Sequence, residues 1–164
     1  MPSDLHVRLA VPSDAPALTR LINPIIKAGG TTAIEEILSD ADLSDYFIAG
    51  SEVLFCHLVE AEGEVVGFQA LCRDSDLPAT WGDIATFARL EHKIPGVGTA
   101  LFSRTIQAAR DQRLTALNAQ IRADNVPGLA YYTKMGFVTY RTLEAVPLRD
   151  GRPVDRILKR YDLT

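Results

Sequence analysis

Gly96 and Gly98, one residue apart, join two runs of opposite periodicity. The run from Trp81 to Leu90 is apolar and rich in strand-forming residues, so a β-strand feeds the turn. The run from Gly98 to Arg113, with Val97 just ahead of it, gathers Val97, Leu101, Phe102, Thr105, Ala108 and Ala109 on one broad face. Ser103, Arg104, Gln107, Arg110 and Asp111 take the other, the pattern of an amphipathic helix covering a sheet. A Gly-x-Gly turn at a helix start leaves backbone N–H groups pointing out of the helix end. With the helix dipole they attract an anion, most often a phosphate. The plainer reading is a turn that uses glycine only to bend the chain. Two common phosphate motifs fail here. A dinucleotide fingerprint needs a third glycine at Leu101 and a place in the first βαβ unit. A nucleotide P-loop needs Lys-Ser or Lys-Thr straight after its last glycine, where this chain has Thr99-Ala100.

The rest of the chain gives the turn a setting. The predicted order is β, α, α, β, β, β, glycine turn, α, β, α, β, β. Hairpins mix with crossover helices, so the expected class is α+β (mixed α/β), a mixed sheet covered by helices. His6 to Ala10 opens as a strand. A helix follows from Pro12-Ser13-Asp14, with Ser13 as N-cap and Leu18, Leu21, Ile22, Ile25 and Ile26 facing the core. Pro24 predicts a kink or stop near Leu21 to Asn23. A short helix is expected at Glu35–Leu38 and another from Asp42 to Ala49, closed by Gly50. Val53–Glu60 and Glu64–Arg73 read as a hairpin around Glu62-Gly63. Thr115 to Arg122 is a strand, Asn125 caps a helix running to Met135, and two strands close the chain.

Composition narrows the class of protein. With 164 residues, 47% apolar and 23% charged, residues 1–164 suffice for one domain with a real core. The net charge of −4 and the lack of a dense Lys/Arg cluster argue against nucleic acid. Cys56 and Cys72 read as buried free thiols, too few and too far from His6, His57 and His92 to make a metal site. Met1-Pro2-Ser3-Asp4 is polar and no run is long enough to span a bilayer, so no membrane partner and a cytoplasmic location are expected.

Two separated blocks resemble one family. Lys93-x-x-Gly96-x-Gly98 is similar to the Gln/Arg-x-x-Gly-x-Gly/Ala motif of the GNAT acyl-CoA N-acetyltransferases. Asn125-x-x-x-Leu129-Ala130-x-Tyr132-x-Lys134-Met135-Gly136-Phe137 is similar to their Asn…Ala-x-x-Tyr-x-Lys-x-Gly-Phe motif. Thr31-Thr32-Ala33, His92 and Gly98-Thr99-Ala100-Leu101 resemble most the phosphinothricin-acetyltransferase-like branch. Lys93 departs from the motif, losing the planar fork of arginine. Pro95 has no N–H to give a phosphate.

The resemblance implies a sheet of about seven strands, mostly antiparallel, with about four helices. Its two central parallel strands, here Trp81–Leu90 and Thr115–Arg122, splay apart to admit acetyl-CoA. It implies acetyl transfer to a primary amine of a small molecule, an amino acid or analogue, without a metal. The cofactor-binding residues it implies are Phe87 and Ala88 for the pantetheine arm, Lys93 at the motif, and Gly96, Val97, Gly98 and Thr99 for the pyrophosphate. Asn125 either caps its helix or touches the arm, and Tyr132 completes the set. The catalytic pair is Ala88, whose N–H serves the oxyanion, and Tyr132, whose hydroxyl serves the departing thiolate. Tyr131 is expected to pack. Lys134 meets a phosphate or lies in solvent. The base that takes the ammonium proton is open among Glu35, Glu36, Asp83, Glu91 and His92. Alternative readings are a protein or peptide N-acetyltransferase and a non-catalytic acyl-CoA-binding module. A homodimer is the default expectation for such an enzyme.

Overall fold

The computed structural model describes residues 4–164. Met1-Pro2-Ser3, part of the polar start used above, lies outside them. Seven strands form one sheet: β1 (His6–Leu9), β2 (Val53–Ala61), β3 (Glu64–Cys72), β4 (Trp81–Ala88), β5 (Ala116–Arg122), β6 (Val138–Pro147) and β7 (Pro153–Asp162). Their spatial order is β1-β2-β3-β4-β5-β7-β6. Only β4 and β5 run parallel among these neighbours. Four helices cover the sheet: α1 (Ala15–Ala28), α2 (Asp40–Phe47), α3 (Val97–Asp111) and α4 (Val126–Met135).

Strand alternation divides the core in two. Leu58, Phe68, Ala70 and Phe87 point to one face and pack under α1 and α2. Phe55, Leu71 and Ile84 point to the other, against Phe102 and Ala109 of α3 and Tyr132 of α4. The β2–β3 hairpin turns at Glu62 and Gly63, with φ of 54° and 79°, the left-handed pair that a two-residue hairpin turn requires. Gly67 of β3 leaves room for the start of α3: a Cβ there would stand 2.7 Å from Val97 Cγ1.

Three expectations need correction. Of the kink or stop expected at Pro24, the stop does not occur: α1 runs on to Ala28. Pro24 and Arg20, whose carbonyl loses its helical partner, are both exposed, so that carbonyl faces solvent rather than the core. Ser13 is not the cap; Asp14 takes that place, and its carboxylate accepts from Val11 N–H at 2.8 Å. No helix forms at Glu35–Leu38. Instead Asn23 brackets Leu38, donating to its carbonyl at 3.0 Å and accepting from its N–H at 2.9 Å. Among the described residues, no helix is long and apolar enough to cross a membrane.

Candidate active site

The parallel strands part company early. β4 and β5 are paired from Trp81/Ala116 to Asp83/Asn118, yet β4 continues to Ala88 and β5 to Arg122. Beyond that fork the β5 side of β4 faces a gap. Arg89 N–H bonds to Val66 O of β3 at 3.1 Å. Antiparallel alternation then turns the backbone of Phe87 toward β3 and that of Ala88 and Thr86 into the gap. Phe87, expected beside the pantetheine, is therefore displaced from that role: its ring also packs against Phe47 and Phe68 in the core. Ala88 lines the cleft on the α3/α4 face.

On the α3/α4 face the gap opens into a cleft of about 280 Å³ lined by Ala88, Lys93, Gly96, Val97, Gly98 and Thr99, among others. Gly96 caps α3 in the left-handed region, with φ of 87°. The first helical bond is Ala100 N–H to Gly96 O, at 2.9 Å. The N–H groups of Val97, Gly98 and Thr99 precede it and have no acceptor within the helix, an anion-binding end. Three cations surround it: Lys93, Arg89 and Lys134. Arg89 escaped the sequence reading, although a cation closing the strand ahead of such a turn was a usable signal.

Both tyrosines of α4 matter. Tyr131 is more than packing. Its ring lies over Gly98, where a Cβ would meet Tyr131 Cε1 at 2.4 Å, and its hydroxyl donates to Gly98 O at 2.8 Å. Burial pushes that hydroxyl up to about 12. Tyr132 is buried, with its hydroxyl 2.9 Å from Thr86 Oγ1 on β4, and unlike Tyr131 it does not line the cofactor-side cleft. Burial raises its pKa well above the usual range, opposed by the Thr86 hydrogen bond. Asn125 acts as a cap, accepting from Gly128 N–H at 3.0 Å. Its amide N–H donates to Thr31 O at 3.0 Å, so both ends are engaged away from the cofactor cleft.

A second cleft, about 1120 Å³, lies on the α1/α2 face. Its walls are the 33–38 segment, α2, the turn 50–52 ahead of β2, the end of β3 with Arg73 and Asp74 beyond it, Asp83 and Ala85 of β4, and Arg149. Arg122 holds the rim, donating to Thr32 O at 3.2 Å and pairing with Asp124 at 2.7 Å. Asp83 sits at the fork, half-buried, and accepts from Asn118 Nδ2 at 2.8 Å; Asn118 in turn accepts from the Tyr140 hydroxyl. Burial pushes the Asp83 carboxyl up to about 6, against the Asn118 hydrogen bond. The other base candidates are placed less well. Glu36 pairs with Arg149 at 2.6 Å, and Glu35 accepts the Arg149 N–H at 2.8 Å. Glu91 and His92 are exposed beside the glycine turn, outside the walls of the second cleft.

Residues 24–137 match the family model described as the acetyltransferase (GNAT) family. The chain belongs to that family. Among solved structures, an N-acetyltransferase from Staphylococcus aureus superposes with a TM-score of 0.86 at 20% identity, covering 99% of this chain and 100% of its own. A GNAT superfamily phosphinothricin acetyltransferase from Sinorhizobium meliloti, in complex with acetyl-CoA, gives 0.82 at 19%, covering 99% and 89%. A ribosomal-protein-alanine N-acetyltransferase from Brucella melitensis gives 0.81 at 22%, covering 96% and 99%. No curated protein matches the chain. The seven-stranded sheet with splayed β4 and β5 is the GNAT fold, and the chain is an acyl-CoA-dependent N-acetyltransferase with acetyl-CoA as co-substrate. The helix end at Val97–Thr99, its three cations and the gap beside Ala88 suit a bent, polyanionic thioester. Among the described residues, no cluster of three or more His, Cys, Asp or Glu side chains is grouped to hold a metal.

Proposed function

We propose that this chain acetylates a primary amine of a small molecule by direct attack on the thioester, with Asp83 as the proton acceptor. The observation that carries this reading is the fork. Two clefts lie on opposite faces of the sheet, one lined by Ala88 and the other by Asp83 and Ala85 of the same strand β4, and Asp83 stands where β4 and β5 separate. The Val97, Gly98 and Thr99 amides, with Lys93 and Lys134, hold the phosphates. Ala88 N–H donates to the thioester oxygen as it gains charge. Asp83, ionised at neutral pH but less acidic than a free carboxyl, stands five residues back along β4 from Ala88, roughly 16 Å on an extended strand, so it takes the ammonium proton through a file of waters in the gap. Tyr132 donates a hydrogen bond to the departing thiolate; its raised pKa keeps the proton on oxygen.

The charge of the second cleft bears on the acceptor. Seven carboxylates and two guanidiniums line it. An amine that arrives as a cation is concentrated there. Amino acids and their analogues bring a carboxylate as well, and Arg149 already pairs with Glu36, so Arg73 is the cation left on that wall to receive it. A small amine with no anionic group suits this cleft better. The peptide reading has one observation in its favour: the volume exceeds the range of roughly 300–1,000 Å³ usual for small-molecule sites. Thiol release from acetyl-CoA with diamines, amino acids and short peptides separates these readings. Turnover confined to peptides overturns the small-molecule reading. Tight acetyl-CoA binding with no turnover on any amine favours a binding module. The proposal also includes a cytoplasmic location, checked by fractionation, and a homodimer through the exposed edge strand β6, where a monomer in sedimentation refutes the assembly.

A further inference from the structure

The buried polar chain behind Tyr132 has a definite direction. Gln69 of β3 is fully buried. Tyr131 gives its one proton to Gly98 O and can only accept from Gln69, which fixes the amide's orientation and leaves the Gln69 carbonyl oxygen to accept from the Thr105 hydroxyl of α3 at 2.5 Å. Its two amide protons then go to Thr86 Oγ1 at 2.9 Å and to the Tyr131 hydroxyl at 3.1 Å. Tyr131 gives its own proton to Gly98 O, so its hydroxyl is fully engaged and has no proton for a sulfur. Thr86 differs. It accepts from Gln69 and keeps its own proton to donate; the Tyr132 oxygen lies 2.9 Å away, while the Tyr131 oxygen, which Thr86 also approaches, already accepts from the Gln69 amide. When Thr86 donates to Tyr132, the Tyr132 O–H is released to point into the gap. When Tyr132 donates to Thr86 instead, that proton is sequestered. A hydroxyl that accepts one hydrogen bond becomes a stronger donor of the next, so the Gln69 amide favours the first arrangement.

We propose that Thr86, oriented by Gln69 and Thr105, is a positioning residue that turns the Tyr132 proton toward the departing thiolate. The proposal rests on the reading of Tyr132 as the thiolate's hydrogen-bond donor. No covalent bond changes in Thr86 or Gln69. As negative charge builds on sulfur, the Tyr132 oxygen shares its proton with it and grows more basic, and the Thr86 donation strengthens. The chain links β3, β4, α3 and α4, and thereby couples the packing of both cofactor-side helices to the reacting atom.

The test is a double-mutant cycle on kcat and on KM for acetyl-CoA. Thr86→Val keeps the shape and removes the hydroxyl. It is expected to lower kcat about tenfold, the rate equivalent of one hydrogen bond, with KM for acetyl-CoA unchanged within about twofold. Thr86→Ser restores the hydroxyl and should recover most of kcat, which a lost packing contact would not. In a Tyr132→Phe background, Thr86→Val should cost nothing further. If Thr86→Val costs the same factor with or without the Tyr132 hydroxyl, the positioning role is overturned. The same holds if it raises KM and spares kcat. Tyr132→Phe alone reports on the underlying reading: unchanged kcat there removes the donor and the proposal with it. A loss there with no effect of Thr86→Val removes the positioning role only.

Discussion

Replacing Asp83 by Asn should lower activity and raise stability at once. The carboxyl is pushed from 3.8 to about 6, chiefly by burial. A raised folded-state pKa means the folded chain holds the proton more tightly than the unfolded chain. Stability from this group is therefore fully present below the unfolded pKa and falls as pH rises from about 4 to 6. At pH 7 the loss has a ceiling of about 3 kcal/mol. Because the group still borders the open cleft, about 1–2 kcal/mol is the reasonable size after solvent screening. Asn keeps an oxygen for the Asn118 amide and carries no charge. Asp83→Asn should thus raise Tm at pH 7 by roughly 3–6 °C, with the gain vanishing near pH 4. In the same variant kcat should fall by about 100-fold, the loss of a general base. The wild-type kcat should itself drop about tenfold between pH 7 and 5, as the ionised fraction falls from about nine-tenths to one-tenth. Calorimetry and thiol release measure the two effects. A variant within twofold of wild-type kcat refutes the base. A lowered Tm at pH 7 refutes the account of a carboxylate destabilised by burial.

Other parts of the site answer to single substitutions. Gly98→Ala puts a Cβ 2.4 Å from the Tyr131 ring, so the ring must shift over the phosphate cradle; titration calorimetry should show acetyl-CoA affinity down by about tenfold, the scale of a small-to-large clash. Asn125→Ala removes both the α4 cap and the tie to Thr31; urea unfolding should show a loss of about 1–2 kcal/mol, and KM for the amine should rise more than KM for acetyl-CoA. Pro24→Ala supplies the missing N–H at an exposed position of α1 and should raise stability by about 1–2 kcal/mol in the same assay, net of the added freedom of the unfolded chain.

The parts of this site that the sequence displays are those made by backbone. A Gly-x-Gly turn between opposite periodicities implies a helix end, because only N–H groups and φ freedom are involved, and Gly96 at φ 87° with Val97–Thr99 behind it is that helix end. The hairpin at Glu62-Gly63 was accessible for the same reason, because local pattern suffices, whereas the splay of β4 and β5 was implied only by the family resemblance. Pro24 misled because its effect depends on whether the orphaned carbonyl meets water, which is a matter of which face of α1 is exposed. The Glu35–Leu38 helix failed because Asn23, on another element, supplies the bonds that a helix would have made within itself. The choice among five candidate bases was hidden for a related reason. Glu35, Glu36, Glu91, His92 and Asp83 look alike in sequence; Arg149 engages the first two, solvent surrounds the next two, and the fork isolates the last. Thr86 and Gln69 carried no signal as residue types. Strand alternation did place Thr86 opposite Asp83 and Phe87, on the face that α3 and α4 cover, and a threonine aimed at a motif tyrosine was there to be found. The direction of its proton depends on Gln69 and Thr105, far apart in the chain, and only the folded sheet brings those three side chains into one line.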